Sequence, residues 1–298
     1  MQSVKDLAGQ HPALASCVGG TAAVIALFAA KELLETLAVR VIFRDTPPKM
    51  DVQPGTVVVH QLGRGTRAPS LSPFPVKLET FLRLAKIPYV NDFSGTRSKK
   101  GKTPWMSLDG VDVADSQLCI KYLKTKLNLN LNPGLTKEQL GAAQAIQVMV
   151  DEHLYWAIIY NRWVYDKPMR LVKRHFNPPG PVWWFLKRIM RSQLHGQGMG
   201  RHSEEEVWGF MKDDLAALNN YLGDKRFMMG DEMSEVDCSV FGMLCQFVYM
   251  QEDEVCRGLV QAQFPKLHSY VDRIRQLVWP DWEEVCTEGA RYKNISLV

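Results

Sequence analysis

The residues Gly101 to Leu123, GKTPWMSLDGVDVADSQLCIKYL, restrict the fold more than any other stretch. Turn chemistry, strand alternation and a helix start follow one another there without a gap. A loop enters Thr103-Pro104, strands are expected over Trp105 to Leu108 and Val111 to Val113 with a hairpin turn at Asp109-Gly110, and a helix follows, capped by Asp115 or Ser116. A cis X-Pro bond costs only about 0.5–1 kcal/mol, so Pro104 can be cis and turn the Thr103 amide and carbonyl outward, where an extended peptide can pair with them. A helix N-terminus carries free N–H groups, which suits Ser116 to a carboxylate, and Asp115 beside it suits an ammonium. Taken singly, each feature is also an ordinary structural turn or N-cap.

Upstream, Thr56 to His60, TVVVH, reads as a buried first strand. SLSPFPVKLETFLRLAKIPYV then supplies a helix with Ser72 at its N-cap, Pro73 in its first turn and Val76, Leu78, Phe81, Leu82 and Ala85 on an apolar face, followed by a strand over Ile87 to Val90. Strand, loop, helix, strand, cis proline, hairpin and helix is the order of a thioredoxin-like domain. Redox members of that fold carry Cys-Pro-x-Cys where this chain has Ser72 and Pro75, so dithiol exchange is excluded. The order also resembles that of glutathione transferases, some of which use a serine hydroxyl of this loop to donate to a thiolate, a role the resemblance implies for Ser72 or Ser70, although capping alone also accounts for Ser72. The polar loop from Asn91 carries the local positive cluster Lys99, Lys100 and Lys102.

Beyond Asn128 the chain reads as helical. Thr136 with Gln139 and Ser203 with Glu206 form capping boxes, Ser234 with Asp237 forms a reciprocal cap, and Met233 is placed as its hydrophobic staple. One long helix is expected from Thr136 towards Trp163, and Trp279 and Trp282 are expected to pin the C-terminus to the bundle. His153 lacks a metal-ligating partner at helical spacing and reads as a capped or solvated histidine, so no metal site is assigned. The glycines of His195 to His202, HGQGMGRH, follow no strand, which excludes a dinucleotide loop and leaves a flexible connector.

Six cysteines without a CxxC pair argue against a zinc site or a disulfide framework and fit a reducing compartment. A net charge of +4, with no dense basic block, excludes nucleic acid as the expected partner. Ala13 to Ala30 is uncharged over 18 residues, close to the length of a membrane-spanning helix, with a buried or amphipathic surface helix as the alternative. Lys31, Arg40, Arg44 and Lys49 follow it, so the positive-inside bias places the C-terminal domains in the cytosol. The expected organisation is an N-terminal tail at 1–12, a single-pass membrane helix at 13–30, a juxtamembrane segment and linker at 31–55, an α/β domain at 56–132, an all-α domain at 133–285 and a tail at 286–298.

The small α/β unit and larger helical unit resemble a cytosolic glutathione transferase. SLSPFPVKLETFLRLAKIPY, GKTPW, DEHLYWA, GMGRHSEEE, the MG…SEVDCSVFG cap and the WPDW ending together resemble, more narrowly, the failed axon connections homologues, metaxin-related proteins with that fold. The resemblance covers nearly all of Val57 to Trp282. It implies a membrane-associated interaction or scaffolding protein with a role in axon development, without an established shared catalysis. It also suggests the mitochondrial outer membrane, while the basic flanks serve equally at the endoplasmic reticulum. The Asp115-Ser116 pair keeps a second reading open, in which glutathione is held by Thr103, Pro104, Asp115 and Ser116, Ser72 assists its thiolate, and an apolar electrophile is conjugated. A protein partner or a homodimer fits either reading.

Overall fold

The computed structural model describes residues 50–165, 180–250 and 254–291. The expected span at 13–30 lies outside the described residues, and among those described no helix is long and apolar enough to cross a membrane.

Val57–His60 forms β1, Pro73–Leu84 α1, Tyr89–Asp92 β2, Trp105–Leu108 β3, Val111–Val113 β4 and Ser116–Lys126 α2. The sheet order is β2-β1-β3-β4, with β1 parallel to β2 and antiparallel to β3. Asp109 and Gly110 both have positive φ, 48° and 82°, as a tight hairpin turn with right-handed strand twist requires. Strand β2 lies two residues later than the sequence suggests. The apolar pair Ile87-Pro88 serves as its entry, and Asn91 and Asp92 take ladder positions opposite Val59 and His60.

Strand alternation divides the side chains. Val57, Val59, Met106 and Leu108 pack with Leu78, Phe81, Leu82, Ile120 and Leu123 of the two helices into one core. Val58, His60, Trp105 and Ser107 point the other way. There His60 Nδ1 meets Asp92 Oδ2 at 2.7 Å, its Nε2 meets Ser107 Oγ at 2.9 Å, and that hydroxyl donates to Asp112 Oδ1 at 2.9 Å. Trp105 stacks on the His60 ring at 3.7 Å.

The second unit begins at Lys137–Val148, α3, whose capping box is formed as expected. The single long helix of the sequence reading is interrupted by π-helical turns at Met149–Leu154 and Asn161–Tyr165, on either side of Tyr155–Tyr160, α4. Gly180–Gln197 is α5, Glu204–Leu222 α6, Glu235–Val248 α7, Glu254–Gln263 α8, Pro265–Val278 α9 and Trp282–Arg291 α10. Helix α10 runs past the expected boundary at 285, because Trp282, Val285 and Cys286 are all buried.

Helix α7 is the buried centre. Every residue from Val236 to Val248 is sequestered, and Gly242 lets α1 approach so closely that a Cβ there would lie 2.7 Å from Pro73 O and 2.9 Å from Lys77 N. Its N-terminus is fixed by Asp237, fully buried, which accepts from Met228 N, Ser234 N, Ser234 Oγ and Tyr270 Oη at 2.8–2.9 Å. Met233 packs partly buried on the core that contains Cys238, as a staple requires. The Trp279 indole donates to Thr80 Oγ1 at 3.0 Å, so the C-terminal tryptophan is pinned, and onto α1 in particular.

The connector at 195–202 is a packed turn. Met199 is buried, and a Cβ on Gly200 would lie 2.7 Å from His195 N, so the glycine allows close approach of backbone rather than looseness. His153 is paired, its Nδ1 2.7 Å from Asp214 Oδ2, and burial raises the Asp214 carboxyl above its ordinary value.

Candidate functional site

Strand register gathers the expected site residues at one end of the sheet. His60 pairs with Trp105, and Met106 pairs with Val113. The chain leaving β1 towards Ser72, the chain entering β3 through Thr103-Pro104 and the chain leaving β4 through Asp115-Ser116 therefore emerge side by side.

Ser72 stands at the N-cap of α1 with extended backbone, φ −107° and ψ 140°, but its side chain makes no capping bond. This corrects the reading of Ser72 as a cap alone. Its amide instead donates to Ser70 Oγ at 3.3 Å. Ser70 is fully buried and Ser72 only half-buried, so Ser72 presents the hydroxyl. Two side chains of the helical unit fix the preceding backbone: Arg162 Nη1 donates to Leu71 O at 2.6 Å, and Gln246 Nε2 donates to Ser70 O at 3.2 Å. Arg162 Nη2 also donates to Gln246 Oε1 at 2.8 Å, which joins the two anchors. The sequence gives no sign of this clamp, since its parts lie 91 and 176 residues from their targets.

The Thr103-Pro104 bond is cis, as expected. Pro104 is buried, and Thr103 Oγ1 is a buried polar atom with no hydrogen-bond partner in the protein.

Asp115 caps α2, its Oδ1 accepting from Gln117 N at 3.2 Å and Leu118 N at 3.4 Å. The structure thus assigns the cap to Asp115, and only its second oxygen is left for an ammonium. Ser116 is the first residue of α2 and is 3% exposed. Lys100 reaches across to donate to Ala114 O at 2.9 Å, which brings one cation of the Lys99, Lys100 and Lys102 cluster to the backbone beside Asp115. On the other side of α2, Gln117 Nε2 donates to Glu235 Oε1 at 3.3 Å and Lys124 Nζ pairs with Glu235 Oε2, tying α2 to α7.

Arg64 and Trp105, near this end of the sheet, are committed to partners within the α/β unit. Arg64 is buried in a bidentate pair with Glu79, which Gln61 and Asn91 also bond. Trp105 Nε1 donates to Thr96 O at 3.0 Å while its ring covers His60. Beside Ser72, Phe74 meets Tyr155 at 4.7 Å and Tyr155 meets Trp156 at 5.3 Å, an aromatic wall contributed by both units. Burial pushes the Tyr155 phenol up to about 12, so it stays neutral. Burial likewise pushes the Cys119 and Cys245 thiols up to about 12, which excludes both as nucleophiles. Five residues into α1, the buried Lys77 pairs with Asp151, which also accepts from Gln147 at 2.6 Å. That pair joins α1 to the first π-helical turn, a junction with no local sequence signature.

The comparisons agree with this architecture. The glutathione S-transferase N-terminal domain family matches residues 73–168, and the glutathione S-transferase C-terminal domain family matches residues 211–274. Failed axon connections of Drosophila melanogaster is 34% identical over 259 residues, 80% of this chain and 62% of that protein, so the chain spans less than two thirds of this relative. Isoprene-epoxide–glutathione S-transferase of Rhodococcus sp. strain AD45 is 34% identical over 223 residues, 70% of this chain and 93% of the enzyme. Mouse metaxin-1 is 26% identical over 231 residues, covering 68% and 71%. Among solved structures, the β-etherase LigF of Sphingobium sp. strain SYK-6 shares the fold at a TM-score of 0.55 and 17% identity, over 79% of this chain and 99% of LigF.

Proposed function

Because the chain belongs to the failed axon connections family, metaxin-related proteins with a glutathione-transferase-like fold, we propose that it binds glutathione at the sheet end and conjugates it to apolar electrophiles. The observation that carries this reading is the convergence of the cis Thr103-Pro104 segment and the Asp115-Ser116 start of α2 at one end of the sheet. Glutathione would supply the thiol. The Ser116 amide and hydroxyl receive its γ-glutamyl carboxylate, the second oxygen of Asp115 takes its ammonium, the Thr103 main chain beside Pro104 pairs with its peptide backbone, and the Ser72 hydroxyl donates to its sulfur. The 34% identity to a glutathione S-transferase over 93% of that enzyme supports the same reading.

A second reading is a non-catalytic interaction protein with a role in axon development, favoured by the match of Failed axon connections to 80% of the chain. Residues 13–30 serve in both as a single-pass anchor, supported by their uncharged length and basic C-terminal flank, with the folded units in the cytosol. The mitochondrial outer membrane is the site the metaxin kinship favours.

Calorimetric titration of glutathione into the detergent-solubilised full chain separates the readings. Binding tighter than ~1 mM, abolished in Asp115→Ala/Ser116→Ala, is expected, with Ser72→Ala retaining binding but losing conjugation of an aryl halide or epoxide. A folded chain that gives no heat at high millimolar glutathione leaves the interaction reading alone.

A further inference from the structure

Helix α5, Gly180–Gln197, reads GPVWWFLKRIMRSQLHGQ and contains no acidic residue, although the chain as a whole is only +4. Its two faces differ sharply. Leu186 and Leu194 are buried, and Met190 packs against the main core, so the inner face is consumed by the fold. Trp184, Arg188, Arg191 and His195 recur at spacings of four, three and four and share the outer face, with Lys187 at its margin. Trp184 is 59% exposed, an uncommon state for an indole. The Arg188 guanidinium lies 5.7 Å from the Trp184 ring, and Phe185 meets that ring edge-on at 4.9 Å.

We propose that this outer face of α5 docks on an anionic lipid surface, with the Trp184 indole at headgroup depth and Lys187, Arg188 and Arg191 against lipid phosphates. With its apolar face used by the fold, α5 offers outward a cationic surface with one exposed indole, the side chains that hold a folded protein at a charged headgroup layer. A tryptophan combines an apolar body with an N–H donor, which suits the boundary between acyl chain and headgroup. An acidic helix-binding protein of the groove type would take the apolar face of its target. Here that face is already packed inside the protein, so the partner must read the outer face as a plane, and a bilayer does so. The inference is independent of glutathione binding and of the 13–30 segment, whose insertion would only bring α5 close to the same surface.

The test uses the full chain with vesicles of phosphatidylcholine alone or with roughly 30% phosphatidylserine, each containing bromine-labelled acyl chains that quench nearby tryptophan. Quenching that appears only on the anionic vesicles and disappears in Trp184→Phe is expected. The variant Lys187→Gln/Arg188→Gln/Arg191→Gln removes about fivefold in affinity per cation, so roughly 100-fold is lost on anionic vesicles while the circular dichroism spectrum is unchanged. Quenching that survives Trp184→Phe overturns the proposal, because it then comes from another of the chain's tryptophans. Equal quenching on neutral vesicles, or an undiminished response in the triple variant, overturns it too. Charge-dependent binding to a single-stranded RNA probe with no vesicle response replaces lipid with nucleic acid.

Discussion

Replacing Arg162 with methionine tests whether the helical unit holds the Ser72 loop. Arg162 is 7% exposed and donates to Leu71 O at 2.6 Å and Gln246 Oε1 at 2.8 Å. Methionine keeps the length and much of the volume but donates nothing. Two carbonyl oxygens lose charge-assisted bonds, each worth about 1.5–3 kcal/mol, and part of that loss is offset because a buried cation no longer has to be desolvated. The net expectation is about 3 kcal/mol, which for a chain of this size lowers Tm by about 6–12 °C. Differential scanning calorimetry measures the shift, and a cycle with Gln246→Leu should show coupling above ~1 kcal/mol because the two residues share a bond. Glutathione titration supplies a second readout. With the carbonyl before Ser72 released, affinity or thiol activation should fall about tenfold even at temperatures where the variant is folded. A Tm shift below ~2 °C would refute the clamp as a stabilising element. A large shift with unchanged glutathione behaviour would refute its control of Ser72.

Three other outcomes follow from the packing and the charges. Gly242→Ala places a Cβ 2.7 Å from Pro73 O and 2.9 Å from Lys77 N, so α1 and α7 must separate at a cost of about 1–3 kcal/mol, read from the urea midpoint. Asp237→Ala strands the donors of Met228, Ser234 and Tyr270 in the core and should cost about 3–5 kcal/mol, whereas Tyr270→Phe, which removes one bond, should cost about 1. The hydrogen bond from Arg83 holds the Asp281 carboxyl below its usual 3.8. A depressed carboxylate contributes stability that is complete above its unfolded value and is lost as pH falls through the lower folded value. Acid titration followed by the emission of Trp279, over which Arg83 lies at 3.9 Å, should therefore show release of the C-terminal clasp in that acid range, and Asp281→Asn should remove the step.

What the sequence disclosed and what it hid divide by range. The hairpin at Asp109-Gly110 and the caps at Thr136, Ser203 and Ser234 were legible because each depends on a few adjacent residues, whereas the cis Pro104 followed from the family resemblance. Strand β2 was misplaced because Ile87 looks like strand but packs as the entry to one, and Asn91 and Asp92 look like loop but find partners in Gln61 and His60. That the Ser72 side chain makes no capping bond is a matter of geometry that no residue pattern encodes. His153 looked solvated because Asp214, its partner, is 61 residues away. The π-helical turns around Asp151 and Arg162 were likewise invisible. Each carries a residue that reaches into the α/β unit, Asp151 to Lys77 and Arg162 to Leu71.

Those reaches bear on how such a chain can be recombined. The α/β and helical units coincide roughly with two separately recognisable sequence families, which invites treating them as exchangeable modules. Yet Arg162, Gln246, Asp151 and Glu235 place polar atoms from the second unit onto α1, α2 and the loop between β1 and α1. A chimera that joins this first unit to another second unit keeps the shape of that loop only where the new unit supplies equivalents of these residues. A graft of the first unit has to carry these positions with it, together with Trp279, which holds Thr80 of α1, and Tyr155, which packs on Phe74 beside Ser72.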